Sequence, residues 1–255
     1  MVIMKRLFFC ILCFASTQGF TQIKVGVTAG LNTANFWETD GFEGLGTELS
    51  ANPISAFHGG FLGELEMRNN WFLQASLLYF ETGSHLRNRQ GLPGSGNFVV
   101  DFTNTNLKIY SLRLPVNFVY KVNTGLPLKG SPLKVLLGGG AYFSQTISGT
   151  EKGYSSGHNS APGDDLTATI YGNIDNKVQV SNQLSSAAAG VSRVAPYDIG
   201  GNLLLGAECK KYELTINYSR GFSRVYRTTF ANTGNNVFTF SLVYFLAGHA
   251  RKPNL

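Results

Sequence analysis

The sequence predicts an all-β fold, namely an eight-stranded antiparallel up-and-down transmembrane β-barrel with long extracellular loops. Three observations predict it. Apolar and polar residues alternate with a period of two in about eight segments, the connections between these segments are long and short in turn, and only 14% of the 255 residues are charged. Ordinary soluble proteins average roughly 25% charged residues. Barrel strands alternate in this way because one face of each strand meets lipid and the other a polar lumen.

The start of the chain is typical of a signal peptide. Lys5 and Arg6 give a positive beginning, and the apolar run that follows is too short to cross a bilayer as a helix. Cleavage is expected before Gln22, and a mature chain that starts there retains Cys209 as its single cysteine, which excludes an internal disulfide. The predicted organisation is a signal peptide (1–21), an outer-membrane β-barrel (22–246) and a short periplasmic tail (247–255).

The first strand is predicted from the stretch Gln22 to Asn32, in which the alternation has no error. One face carries Ile23, Val25, Val27, Ala29 and Leu31, and the other carries Lys24, Gly26, Thr28, Gly30 and Asn32. Because successive strand residues point to opposite faces, this segment has one apolar and one polar face.

Seven further segments repeat the alternation and are predicted to be strands: 56–68, 71–80, 107–121, 133–147, 197–208, 212–219 and 238–246. Pro115 lies within the fourth segment and has no N–H to donate, so we expect a bulge or a local break there. The fifth segment contains Gly138, Gly139 and Gly140, which leave open which of its faces points inward.

The connections predict the orientation of the barrel. Those expected to be long are 33–55, 82–106, 148–196 and 222–235, and those expected to be short are 69–70, 122–132 and 209–211. A barrel with both termini in the periplasm has long loops outside and short turns inside. Within the third long connection, we expect a hairpin with strands 167–174 and 177–180 around Asp175-Asn176.

Aromatic residues are predicted to form two girdles on the outward face. The periplasmic girdle would contain Trp71, Tyr120, Tyr212 and Tyr244, and the outer girdle Phe57, Tyr79, Phe143, Tyr218 and Phe238. Amphipathic rings at both membrane interfaces are typical of outer-membrane barrels.

A set of charged residues is predicted to point into the lumen: Lys24, Glu64, Glu66, Arg113, Lys121, Asp198, Glu208 and Glu213. An eight-stranded barrel is just wide enough for side chains to fill it, which favours a salt-bridged plug over a polar channel. Lys24 and Glu66 fall near the same end of adjacent strands and are expected to pair.

The sequence predicts neither an enzyme nor a cofactor. The four histidines, His58, His85, His158 and His249, are scattered over the lumen, the outer loops and the tail, and no Cys and His spacing typical of a metal site occurs. A catalytic set of Ser, His and Asp could be assembled with Asp164 or Asp165, but only by free choice among loop residues, so it does not indicate an active site. Without Lys5 and Arg6 the chain has 19 basic and 15 acidic residues, a net charge of +4 that is scattered, so no nucleic-acid site is expected.

Several segments resemble the PorT-like outer-membrane β-barrel proteins of Bacteroidetes-type bacteria. They are GVTAGLN after the predicted signal peptide, WFLQASLLYFETG, LRLPVNFVYK and YDIGGNLLLGAE. The resemblance covers nearly all of the mature chain and implies an eight-stranded barrel in the outer membrane. Some members of that family are linked to secretion and gliding machinery, and the resemblance implies no catalytic residues. An aromatic carboxy-terminus is usual in such barrels, whereas this chain continues past the last predicted strand from Ala247 to Leu255.

The expected function is therefore a structural, binding or secretion and assembly accessory role in the outer membrane. The expected partners are outer-membrane lipid and other envelope or secretion-machinery proteins. Two alternatives remain open at this point: a secreted soluble lipocalin-like barrel that binds an apolar ligand, and a small outer-membrane enzyme that modifies lipid.

Overall fold

The structure is a computed structural model that describes residues 23–38, 47–93, 98–128, 131–160, 168–181, 193–227 and 232–247. The predicted signal peptide and all but the first residue of the predicted tail lie outside these residues. The strands are β1 (Ile23–Glu38), β2 (Thr47–Asn52), β3 (Ile54–Arg68), β4 (Trp71–Pro93), β5 (Phe98–Leu128), β6 (Ser131–Ser160), β7 (Ala168–Lys177), β8 (Gln179–Val180), β9 (Arg193–Val194), β10 (Tyr197–Cys209), β11 (Tyr212–Gly221), β12 (Tyr226–Arg227) and β13 (Asn232–Ala247).

Eight of these strands close into a ring in the order β1, β3, β4, β5, β6, β10, β11 and β13. Every neighbouring pair is antiparallel, and β13 returns to β1 through the register Val27↔Tyr244 to Glu38↔Thr233. Closure matters because it leaves no unpaired strand edge around the ring. The prediction of an eight-stranded antiparallel barrel is confirmed. In the described residues, no helix is long and apolar enough to cross a membrane.

The two faces of the ring have opposite chemistry, as the alternation predicts. Apolar side chains cover the outside, and Leu31 and Leu203 are 69% and 67% exposed there. The inside holds buried polar and charged side chains such as Asn32, Thr215 and Asn202, together with apolar ones such as Phe80. The order apolar outside and polar inside is the arrangement that a lipid-facing barrel requires.

Three ring strands are much longer than a membrane needs. A membrane-crossing strand takes about 9–11 residues, whereas β4, β5 and β6 have 23, 31 and 30. Beyond Tyr110, β5 continues to Phe98 while paired on both sides. Those twelve residues span about 40 Å at roughly 3.3 Å each. Two of the predicted long loops are therefore largely strand.

The outer parts of these strands form what we call the projecting sheet. It consists of residues 47–52, 85–93, 98–106, 150–160 and 168–177, in the order β2, β4, β5, β6 and β7. The pairing continues to Pro93↔Phe98 and Phe98↔Ser160, so the backbone polar groups bond within the sheet. The sheet stands at the end of the ring opposite the short turns.

The predicted hairpin around Asp175-Asn176 is wrong. Both residues lie inside β7, where they face Lys152 and Glu151 of β6. The physical reason is that β6 runs past the ring and offers a long unpaired edge. Ten residues of β7 pair with that edge, and this satisfies more backbone groups than a hairpin of two short strands.

The short connections lie together at the other end of the ring. Asn69 and Asn70 have φ of 52° and 68°, the left-handed pair that a two-residue hairpin turn needs and that Asn tolerates. Lys210, with φ of 57°, turns the chain between β10 and β11. Between β5 and β6 the ladder continues to Leu128↔Ser131, so this connection is shorter than predicted.

Two uncertain points of the sequence are resolved by the ladder. Pro115 pairs opposite Tyr142 of β6, but the β4 ladder skips from Ala75↔Val116 to Leu78↔Arg113, which is the expected local break on one side. In β6, Leu136 and Tyr142 point inward and are buried, whereas Leu137 and Phe143 are exposed.

Both aromatic girdles form through contacts between neighbouring strands. At the turn end, Trp71 packs at a tilt against Tyr120 and Tyr212 at a tilt against Tyr244, with ring centroids 5.1 and 5.3 Å apart. At the outer end the ring pairs are Phe57 with Tyr79, Tyr79 with Tyr110, Phe143 with Tyr197, and Tyr218 with Phe238. The outward aliphatic side chains lie between the two girdles.

Candidate functional site in the barrel lumen

The lumen near the turn end is filled by a network of ions, which we call the charged network. It consists of Lys24, Glu64, Lys121, Glu208 and Glu213, with Gln74 as a neutral member. Each strand contributes an inward position of its alternation, so the network brings together six strands of the ring. All its members except Lys24 are at most 5% exposed.

Lys121 lies at the centre of this network. Its Nζ is 2.5 Å from Glu64 Oε2 and 3.1 Å from Glu213 Oε2, and it also forms an ion pair with Glu208. The ring of Phe72 lies 4.8 Å from the same nitrogen. The ammonium ion donates hydrogen bonds to Glu208 and Glu213 and forms an ion pair with Glu64.

Gln74 connects the carboxylates that would otherwise repel one another. Its Nε2 donates to Glu64 Oε2 at 2.8 Å and to both oxygens of Glu213 at 3.1 Å. The three carboxylates come close enough to hold a metal ion. The Lys121 ammonium, however, already occupies the position where a cation would bind, so this cluster is an ion-pair network by its geometry.

The expected pair of Lys24 and Glu66 is wrong. Lys24 Nζ instead lies 3.3 Å from Glu64 and 2.9 Å from Glu208. Lys24 is directly opposite Glu64 in the β1–β3 register, which brings these two side chains together. Glu66 is half-buried at the rim and lies outside the network. The irregularity between Glu66 and Arg68 accompanies this change at the end of β3.

Arg113 and Asp198 belong to a second group nearer the outer end, which we call the arginine cluster. The Arg113 guanidinium lies between the rings of Phe80 and Tyr142, 3.9 Å from each centroid. Asp198 Oδ2 accepts hydrogen bonds from the Tyr142 hydroxyl at 2.8 Å and from Asn235 Nδ2 at 3.0 Å. The eight predicted lumen residues therefore divide into two groups and one rim position.

A third group, the histidine chain, links three strands. His58 Nδ1 donates to Asn32 Oδ1 at 2.8 Å, and Ser241 Oγ donates to His58 Nε2 at 3.0 Å. Asn32 Nδ2 donates to the carbonyls of Phe57 and Glu81. Since the amide oxygen of Asn32 can only accept, the His58 proton is assigned to Nδ1.

Gly30 makes this chain possible. It faces His58 on one neighbouring strand and Ser241 on the other. A Cβ at position 30 would come within 2.5 Å of the His58 ring. The missing side chain leaves the space through which His58 crosses β1 to reach Ser241. In the sequence, Gly30 shows only as one small residue of an alternating strand.

A small cavity separates the charged network from the other two groups. Its volume is about 50 Å³, and Gln74 and Glu213 line one end while Arg113 and His58 line the other. Drug-sized ligands occupy pockets of roughly 300–1,000 Å³, so this space admits water or a small ion only. Among the described residues, buried side chains fill much of the lumen, as is usual for a ring of eight strands.

One ion pair lies outside the membrane-crossing part, above the outer girdle. Lys108 Nζ donates to Glu81 Oε1 at 2.8 Å, and this hydrogen bond raises the pKa of Lys108, partly offset by desolvation. Lys108 is therefore protonated across the physiological range and keeps this pair intact at the base of the projecting sheet.

The sequence identified the inward charges but missed their partners. Gln74, Asn32, His58 and Ser241 carry no sequence signal beyond an inward position. Tyr142 lies in the segment whose facing the sequence left open, and Asn235 lies in a predicted long connection. Of the remaining histidines, His85 contacts Asn106 and Arg87 on the outside of the projecting sheet. His158 is a residue of strand β6, and His249, Asp164 and Asp165 lie outside the described residues.

A family model described as the outer membrane protein beta-barrel domain matches residues 14–227. No protein of curated function matches the sequence.

Three solved structures are similar to this chain in fold. Ail, the attachment invasion locus protein of Yersinia pestis, is 12% identical, with coverage of 89% of this chain and 99% of that chain and a TM-score of 0.36. Neisserial surface protein A is 16% identical, with coverage of 86% and 96% and a TM-score of 0.38. The outer membrane protease OmpT from Escherichia coli is 10% identical, with coverage of 91% and 100% and a TM-score of 0.29.

The charged network predicts a large loss of stability when its central cation is removed. Lys121→Met leaves three buried carboxylates without their common partner, so the free energy of unfolding should fall by about 3–5 kcal/mol. The measurement is urea unfolding in lipid vesicles. Lys152→Met is the control, because Lys152 and Asp175 form an exposed pair and its loss should cost less than about 1 kcal/mol. Equal effects of the two substitutions would contradict the central role of Lys121.

The filled lumen also predicts that the barrel does not conduct. The purified protein in a planar bilayer should give no reproducible steps on the nanosiemens scale, because side chains occupy the cross-section of the ring. Steps of that size, reproducible and dependent on the amount of protein, would show that the network opens into a channel.

Proposed function

The chain belongs to the outer membrane protein β-barrel domain family and lies in the outer membrane; from this premise we propose that it is a non-enzymatic barrel whose projecting sheet is a docking surface for other envelope proteins. The observation that carries the proposal is the paired extension of β4, β5 and β6 beyond the outer girdle. The ring anchors this sheet, and the sheet meets the partner.

The dimensions of the projecting sheet support this role. The twelve paired residues of β5 beyond Tyr110 are not needed to cross the membrane. A surface loop would not need a ladder of backbone hydrogen bonds either. Pairing across five strands fixes the sheet relative to the ring, because β4, β5 and β6 are shared by both. A surface held in one arrangement binds with a smaller entropic cost than a mobile loop.

The partners we propose are envelope or secretion-machinery proteins, with outer-membrane lipid around the ring. The PorT-like resemblance of the sequence supports an accessory role in secretion or surface assembly, and we include membership of that branch in the proposal. The filled lumen supports the same conclusion indirectly, since a barrel that transports solutes needs an open path through its centre.

The lipocalin-like alternative loses its support. A soluble barrel of that type needs an apolar lumen and a charged exterior. This ring has the opposite arrangement, with Leu205 and Ile216 exposed on its outside and Glu64 and Lys121 buried inside.

The enzyme alternative rests on the histidine chain, which has the order of nucleophile, base and orienting group found in hydrolases. Three features oppose catalysis. Ser241 and His58 are only 8% and 3% exposed, the adjoining cavity is too small for an acyl substrate, and the cation of Arg113 lines the same cavity. That cation disfavours the imidazolium ion which a serine mechanism must form. We therefore interpret the chain as a structural link across β3, β1 and β13.

The docking role predicts that a partner is lost when the sheet is shortened. Replacing residues 87–104 by an Asn-Gly turn removes the outer halves of β4 and β5 and leaves their membrane-crossing parts intact. After crosslinking of intact cells, the full chain with a tag after Leu255 should recover a specific envelope protein, and the shortened chain should not.

The matched control shortens the connection at the other end, between Asn123 and Lys134, and should leave recovery unchanged. Three results would contradict the docking role: recovery of lipid alone by the full chain, loss of the partner in the control, or undiminished recovery by the shortened chain. Heat-dependent migration on gels provides the check that each variant is folded.

The non-enzymatic assignment predicts that Ser241 does not react with a small fluorophosphonate. The folded protein in detergent should gain no mass, while a serine hydrolase in the same detergent is labelled. An adduct on Ser241 that disappears in both Ser241→Ala and His58→Gln would establish an activated serine and overturn this part of the proposal.

A further inference from the structure

Arg113 is a buried cation, and two of its three guanidinium nitrogens lack a hydrogen-bonded partner among the described residues. It is 3% exposed, and its Nε and Nη2 atoms have no hydrogen bond in the described part of the chain. No carboxylate among those residues comes within 4 Å of its guanidinium. Leaving a buried charge in this state is costly in a medium of low dielectric constant, so the site calls for a further group.

The surroundings of Arg113 decide from which direction that group approaches. Phe80 and Tyr142 cover the two faces of the guanidinium plane, each ring centroid 3.9 Å away. Only the edges of the plane remain available. Nε and Nη2 share one edge and present two parallel N–H donors, the fork that binds an anion through two hydrogen bonds at once.

Asp198 is the nearest candidate for a protein partner, but its position prevents a direct contact. Its Oδ2 accepts hydrogen bonds from Tyr142 and Asn235. Asp198 therefore lies at the hydroxyl end of the Tyr142 ring, and the face of that same ring covers Arg113. The carboxylate is thus fixed beside the guanidinium and does not reach the free edge.

The cavity provides the space and further donors. Arg113 lines the space of about 50 Å³ together with Thr28, Thr215 and Thr239, whose hydroxyls are hydrogen-bond donors. Glu213 and Asn217 also line this space, and Asn217 Oδ1 has no donor among the described residues. At roughly 10–15 Å³ per water molecule, this space holds about three to five waters or one small ion. Water can accept the hydrogen bonds of the guanidinium but does not balance its charge, whereas an anion accepts these hydrogen bonds and balances the positive charge.

We propose that the lumen contains a buried anion site, in which the free edge of Arg113 binds one small monovalent anion such as chloride or nitrate. The site lies between the charged network and the arginine cluster, and the threonine hydroxyls complete its shell. The anion is a structural element of the closed lumen and does not depend on the docking role of the projecting sheet. Failure of either proposal therefore leaves the other intact.

Diffraction with bromide tests the site on the unaltered protein. Crystals of the refolded mature chain, grown in sodium bromide, should show an anomalous peak within hydrogen-bond distance of the Arg113 Nε and Nη2 atoms. Density for water alone at this position, or bromide peaks confined to the protein surface, would overturn the proposal.

Stability measured against anion type gives the second test. At constant ionic strength, nitrate should raise the folded to unfolded ratio in a saturable way relative to gluconate, which is too large for the cavity. Arg113→Gln should lose this dependence, and Arg113→Lys should weaken it because an ammonium lacks the fork. The surface variant Lys152→Gln should retain it. Equal responses of wild type and Arg113→Gln, or no difference between the two anions, would contradict an anion at Arg113.

Discussion

The contact of one ammonium group with three carboxylates is the interaction on which the barrel depends. Lys121 comes from β5, and its partners Glu64, Glu208 and Glu213 come from β3, β10 and β11. A ring of eight strands has no core other than its lumen. The charged side chains inside are therefore shielded from bulk water and depend on one another for compensation. The network therefore joins distant parts of the ring and closes it at the turn end in a single arrangement.

The same constraint explains the rest of the lumen. Polar side chains that point inward find partners across the ring, as His58 does with Asn32 and Ser241. Where a partner is missing, as at the free edge of Arg113, a cavity lies next to the gap. Such contacts across the lumen hold the strands of the described ring together.

The projecting sheet uses the stability that the ring provides. β4, β5 and β6 pass from the ring into the projecting sheet, and the β5–β6 ladder shifts its register once, between Tyr110 and Ser111. A substitution in the charged network therefore has consequences above the membrane, because a ring that loosens no longer fixes the strands that form the sheet. The packing of the lumen and the projecting sheet are thus properties of the same strands.

By itself, the sequence determined the fold class, the girdles, the inward and outward faces of the ring strands other than β6, and seven of the eight inward charges, because a period of two directly encodes which face of a strand each residue occupies. Glu66, the eighth, lies half-buried at the rim. It did not determine who pairs with whom. Lys24 pairs with Glu64 because the strand register places them opposite each other. β7 pairs with β6 because β6 extends beyond the ring. His58 reaches Ser241 because Gly30 has no side chain in the space between them. Each of these depends on distances between strands far apart in the chain, which only the closed ring sets.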